Sequence, residues 1–156
     1  CIKWCSAEAI AIHQESAVID DKKCLGCGYC LCVCPRNAIG FNWDAKPELI
    51  QERMVEHALG VVSDKRSKCI FLNFAQEVTE FCDCMQSSGK LLLKDAGVLV
   101  SDDPVAIDCA SIDVVNEAAG KDTFKQSHAK INYRHQIDYA ESLGLGVTQY
   151  ELVEIN

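Results

Sequence analysis

Eleven cysteines stand at positions 1, 5, 24, 27, 30, 32, 34, 69, 82, 84 and 109 of this 156-residue chain, seven of them before residue 35. Cys24-Leu-Gly-Cys27-Gly-Tyr-Cys30-Leu-Cys-Val-Cys34-Pro35 follows C-x2-C-x2-C-x3-C-P without a gap, the spacing that holds a [4Fe-4S] cluster. Three thiolates two residues apart can wrap one cluster in a tight loop, and Gly26 and Gly28 let backbone amides approach the sulfurs. The N-terminal stretch also matches itself at a period of 29 residues, Cys1-Ile-Lys-Trp-Cys5-Ser-Ala-Glu-Ala-Ile10 aligning with Cys30-Leu-Cys-Val-Cys34-Pro-Arg-Asn-Ala-Ile39. Cys1 and Cys5 are then the third and fourth cysteines of a first motif, whose first two would precede Cys1. A zinc site or a set of disulfides is the alternative. So many thiolates exceed one four-thiolate zinc site, and an odd count at such spacings suits metal ligation in a reducing compartment, so a cytoplasmic location is expected. Cys32 reads as a small apolar side chain, with a ligand role as its alternative.

These residues resemble the bacterial two-cluster [4Fe-4S] ferredoxins over residues 1 to 42. The resemblance implies that the fourth thiolate of each run serves the other cluster. It therefore assigns Cys5, Cys24, Cys27 and Cys30 to one complete cluster and leaves Cys1 and Cys34 as half of a second. This sequence departs from that family in having Ser6 where proline is usual, in the additional Cys32, and in lacking the first two cysteines of the first motif.

The elements that must position this chemistry follow from pattern. Cysteine density collapses after Trp43, and Asp44-Ala-Lys-Pro47 reads as a linker, which divides a ferredoxin-like module (1-43) from a second domain (44-156). Pro47 opens a helix to about Val62, with Ile50, Met54, Ala58 and Val61 as its apolar stripe and His57 within that stripe as a core histidine or a ligand. Cys69 to Ala75 and Ala96 to Val100 read as buried strands. Asp103 and Pro104 start a helix that Gly120 stops, Tyr133 to Leu143 forms another closed by Gly144, and Gln149 to Ile155 reads as a last strand. The fold class is α/β (α+β): the module followed by part of a helix-and-sheet layered domain.

Asp108 is carried by a helix that is apolar nearly all round, so its carboxylate must be paired, protonated or bound to a cation. It reads either as a structural acceptor or as a ligand or acid/base group. Cys82-Asp83-Cys84 places two thiols on one face of an extended backbone, insufficient alone for a metal shell. Cys82, Asp83, Cys84 and Asp108 form a candidate second site, with plain loop thiols as the alternative for the first three. Cys69 and Cys109 read as core residues, and His13, His128 and His135 as solvated. Phe81-Cys-Asp-Cys-Met85, Asp95 to Asp108 and Arg134 to Gly146 are similar to the C-terminal part of the 362 family of domains of unknown function, over residues 45 to 156. That similarity implies an α/β domain joined to a two-cluster ferredoxin insert and a chain that is the back portion of a longer protein. It implies no reaction.

Fifteen basic against 23 acidic residues give a net charge of -8 and a pI near 4.9, which disfavours nucleic acid as a ligand. No apolar run reaches the roughly 18 residues of a membrane span. The function expected is single-electron transfer through [4Fe-4S] clusters to a redox partner protein that an acidic surface would attract. An oxidoreductase with its active site near Cys82, Cys84 and Asp108, or a purely structural cluster, are the alternatives.

Overall fold

The structure, a computed structural model, describes residues 1–40, 46–65, 68–82 and 87–155. Asp44 and Ala45 of the expected linker, and Asp83 and Cys84 of the expected second site, lie outside the described residues. The chain divides into two units, Cys1–Asp44 and Ala45–Asn156.

In the first unit a 3-10 turn at Ile2–Trp4 leads to strands β1 (Ile10–His13) and β2 (Ser16–Ile19), which pair antiparallel with Ile10 opposite Ile19 and His13 opposite Ser16. The connection is Gln14-Glu15, both at positive φ (47 and 66). Left-handed turns of this kind match the twist of paired strands and ordinarily call for glycine or asparagine, so this one is strained. A short helix, α1 (Tyr29–Cys32), follows Gly28 at φ 71. Ala9 and Ile10 are the buried apolar residues described in this unit.

The second unit contains α2 (Pro47–Val62), β3 (Phe71–Thr79), β4 (Leu91–Ser101), α3 (Pro104–Ala119), α4 (Thr123–Ser127) and α5 (Arg134–Ser142). Proline occupies the start of α2 and of α3, where its missing N–H costs nothing. Gly120, at φ 64, ends α3 in the left-handed conformation that glycine adopts without penalty. β3 and β4 pair antiparallel, Phe71 opposite Ser101 and Phe74 opposite Val98, with an irregularity between Ala75 and Gln76 beside Gly97. Beyond that bulge the inward set resumes at Val78. One face of the hairpin packs on α3 through Ala75, Leu99, Ile107, Ala110 and Val115. A second cluster, Val55, Val105, Ile137, Ala140 and Leu145, joins α2, α3 and α5.

The class is α+β: mixed helices and small antiparallel sheets. The strands that precede and follow one another here form a hairpin, so no parallel crossover sheet arises among the described residues. Five other expectations change, and the first is that β3 and β4, expected as buried strands, are covered on one face only and leave Leu72, Phe74, Val98 and Val100 exposed. In α2 the residues facing the core are Gln51 and Val55, with Leu59 and Val62 packed against them, whereas Met54 and Val61 are 56% and 64% exposed. His57 is exposed with them. His135 is half-buried and meets Glu52 of α2 at 2.9 Å. Gln149–Ile155 carries no strand, because no other described strand lies alongside it.

The start of α3 is tied at two levels. Oδ1 of Asp103 accepts from the amides of Val105 (2.8 Å) and Ala106 (2.9 Å), and its Oδ2 accepts from the amide of Val147 (3.0 Å). Gly146 leaves room for this, since a Cβ there would collide with the Asp103 carboxylate. Asp103→Ala should therefore lower the unfolding free energy of the second unit by about 1–2 kcal/mol, the worth of an N-cap. Urea denaturation followed by far-UV circular dichroism checks this, and an unchanged midpoint would contradict it.

Candidate metal centre

Four thiols of the first unit line one cavity: Cys5, Cys24, Cys27 and Cys30, with Trp4 and Tyr29 beside them. Cys1, Cys32 and Cys34 are not among its lining residues. The 3-10 turn delivers Cys5, and the amide of Asp20 donates to the carbonyl of Ala9 (2.8 Å), tying the end of β2 to the chain just after Cys5. From Asp20 a turn held by the Cys24 amide (2.9 Å) brings the C-x2-C-x2-C loop to the same place. Gly26 (φ 66) and Gly28 (φ 71) then bend that loop through conformations that a Cβ would disfavour. The rings of Trp4 and Tyr29 lie 5.6 Å apart.

Backbone amides point at the sulfurs. Ala9 N–H donates to Sγ of Cys5 and Ala38 N–H to Sγ of Cys34, both at 3.3 Å and both four residues on, and Gly26 N–H donates to Sγ of Cys24 at 3.4 Å. The first two bonds are 29 residues apart, so the repeat seen in the sequence is also a repeat of geometry. The amide of Ala38, followed by that of Arg36, holds the Cys34 thiol below its ordinary pKa, because a donor to sulfur favours the thiolate. Cys1, Cys5, Cys24, Cys27, Cys30, Cys32 and Cys34 form no disulfide.

The donor set is all sulfur, which fits an iron-sulfur group. Among the described residues, no three His, Cys, Asp or Glu side chains converge closely enough to hold a single metal ion. Zinc would need four ligands within about 2.3 Å of one centre. Thiolates are the usual ligands of iron-sulfur groups, and Cys5, Cys24, Cys27 and Cys30 line this one cavity together.

The second candidate site separates into two parts. Cys82 is exposed and does not line the cleft that Asp108 lines. Asp108 instead meets two residues that the sequence pattern does not single out. Asn73 alternates with Phe71 and Ala75 on the inward face of β3, and its Nδ2 donates to Oδ1 of Asp108 (2.8 Å) and to Oγ of Ser111 (3.0 Å). Ser111 donates to the carbonyl of Ile107 (2.7 Å). The signal in the sequence is a lone amide in an otherwise apolar strand, with one helical turn of polar residues (Asp108, Ser111) facing it. Burial raises the pKa of Asp108, and the Asn73 bond only partly offsets it.

A family model described as Domain of unknown function (DUF362) matches residues 6–113, more than half of the chain. The match starts inside the cysteine module and ends in α3, a different span from the 45 to 156 suggested by sequence motifs. The putative iron-sulfur subunit of dimethyl sulfoxide reductase from Halobacterium salinarum is 38% identical over 81 residues, 49% of this chain and 29% of that protein. A subunit of the ion-translocating oxidoreductase complex from Methanosarcina acetivorans is 46% identical over 39 residues, 25% of this chain and 15% of that protein. The chain thus spans less than a third of the length of either curated relative. No solved structure matches. Among the described residues no helix is long and apolar enough to cross a membrane.

The raised pKa of Asp108 has a sign that can be checked. Its contribution to stability is complete below the ordinary carboxylate range, and is lost as pH rises through the raised folded-state value. Asp108→Asn keeps an acceptor for Asn73 and removes the half-buried charge. Hydrogen exchange of α3 amides should show the variant gaining protection relative to wild type over the interval that begins as pH rises above the ordinary carboxylate range. A relative loss of protection over that interval would contradict the burial argument.

Proposed function

The chain belongs to the DUF362 family, and from that premise we propose that its first unit holds one [4Fe-4S] cluster on Cys5, Cys24, Cys27 and Cys30 and passes single electrons to a partner protein. The observation that carries this reading is the cavity: the three closely spaced thiols of the second motif share it with Cys5 of the first, and Cys34 stays outside. That partition supports the crossed ligation that two-cluster ferredoxins use. The iron-sulfur protein among the relatives supports the cofactor, and the relatives' being subunits of oxidoreductases supports a protein partner.

When bound, such a cluster supplies a one-electron couple within about -700 to +450 mV. The chain's own residues hold and tune it. Cys5, Cys24, Cys27 and Cys30 would supply the thiolates, and the amides of Ala9 and Gly26 donate to two of those sulfurs, which stabilises added negative charge and raises the potential. Cys1 and Cys34 would be half of a second set, and the Ala38 amide that donates to Sγ of Cys34 lowers the pKa of that thiol.

Charge refines the expected docking. Residues 1–44 hold five acidic residues (Glu8, Glu15, Asp20, Asp21, Asp44) against four basic ones (Lys3, Lys22, Lys23, Arg36), so seven of the eight net negative charges belong to the second unit. The cavity is flanked instead by exposed Trp4, Leu25 and Tyr29. A redox partner that approaches the cavity itself would meet an apolar, nearly neutral surface, and ionic strength would affect that encounter only weakly.

Anaerobic reconstitution should load about four irons per chain, the cubane stoichiometry. Cys5→Ser, Cys24→Ser, Cys27→Ser and Cys30→Ser should each abolish the ~400 nm absorbance of thiolate-bound cubanes. Cys32→Ser and Cys34→Ser should retain it. If Cys34→Ser bleached the protein and Cys5→Ser did not, the ligand assignment would fail.

A further inference from the structure

The second unit contains a cleft that no part of the electron-transfer reading uses. It lies beside β3 and α3, and its polar lining is Asn73, Asp108, Ser111 and Gln136. Its apolar walls include Phe74, Phe124 and Tyr133, the rings of Phe124 and Tyr133 standing 5.4 Å apart.

The hydrogen bonds fix what the polar floor can offer. Nδ2 of Asn73 is spent on Asp108 and Ser111, so its carbonyl Oδ1 is the end left over. The Ser111 hydroxyl proton goes to the carbonyl of Ile107. Oδ1 of Asp108 takes the Asn73 amide, and its Oδ2 has no partner among the described residues. Oδ2 of Asp108 and Oδ1 of Asn73 are therefore two acceptors on residues that line the cleft, and no donor to either is found among the described residues. The Tyr133 hydroxyl donates to Asp122 (3.1 Å), which leaves its ring as wall. Lys and Arg are absent from the described lining, and the nearby Arg134 is engaged by Asp113 at 2.9 Å.

We propose that this cleft binds a small planar organic cation, of the amidine, guanidine or aromatic amine class, with its N–H groups on Asp108 and Asn73 and its flat body against the aromatic wall. A half-buried carboxylate oxygen and an amide oxygen, both open to the cleft, suit a ligand with more than one N–H donor, and charge-assisted bonds to a carboxylate are the strong ones. Aromatic faces attract such cations as well. Phosphate and carboxylate ligands are disfavoured, because they would bring a second negative charge to Asp108 with no cation to offset it. The inference stands on the second unit alone and does not depend on the cluster.

The test uses the 15N-labelled full chain at neutral pH and three probes of one shape: benzamidine, benzyl alcohol and benzoate. Benzamidine should shift the amide resonances of Asn73, Asp108, Ser111 and Phe124, benzyl alcohol should do so more weakly, and benzoate should not. Asp108→Asn should weaken benzamidine binding tenfold or more, the order expected for loss of a bond to a charged group. Glu151→Gln, which removes one exposed charge outside the cleft, should leave it unchanged. Equal binding of benzoate and benzamidine, absence of shifts at the cleft, or unchanged affinity in Asp108→Asn would each overturn the proposal. The three-probe comparison on the wild-type chain decides it even if the Asp108 variant does not fold.

Discussion

Thiol groups in the first unit stand where a hydrophobic core would otherwise be. Its described buried apolar residues are Ala9 and Ile10, far less than a segment of this size needs to fold on apolar burial alone. Stretches this short ordinarily rely on cross-links or bound metal. The local devices of the unit all serve to gather sulfur: the 3-10 turn, the tie between Asp20 and Ala9, the two glycines at positive φ, and the amides that donate to Cys5, Cys24 and Cys34. Binding free energy would therefore be folding free energy in this unit, and ligand geometry and fold are one problem.

The second unit is built the other way, around a helix. α3 contributes to both apolar clusters, through Val105 to one and through Ile107, Ala110 and Val115 to the other. Its start is held by Asp103, which also reaches the chain beyond α5 at Val147. A helix fixed so firmly can carry a polar group into its packed face and hold it in register with a strand. That is what Asp108 and Ser111 do opposite Asn73. Burial raises the cost of the charge there, and the Asn73 amide repays only part of it.

Much of this is legible in the chain because it rests on local rules. The motif spacing, the proline at the start of α2, the Asp103 cap and the Gly120 stop are each decided within a few residues, and α2 and α3 have the expected limits. What depends on partners is not legible. Two apolar stripes one position apart compete on α2, and packing against α5 selects Gln51 and Val55 over Ile50 and Met54. The β1–β2 hairpin is hard to read because Gln14-Glu15 lacks the glycine that usually marks such a turn. Asn73 is hidden in an apolar run, since only the register of β3 against α3 reveals that it faces Asp108. Residues 149–155 have the composition of a strand, but a strand needs a neighbouring edge to pair with.

The central claim is that the four thiols around the cavity hold a redox-active cubane. An EPR-monitored redox titration of the iron-loaded chain tests it most directly. The account predicts one reversible Nernst wave with n = 1 inside the roughly -700 to +450 mV range of such clusters, with a reduced-state signal that accounts for the bound iron. Bound iron that takes up no electron anywhere in that range would contradict it.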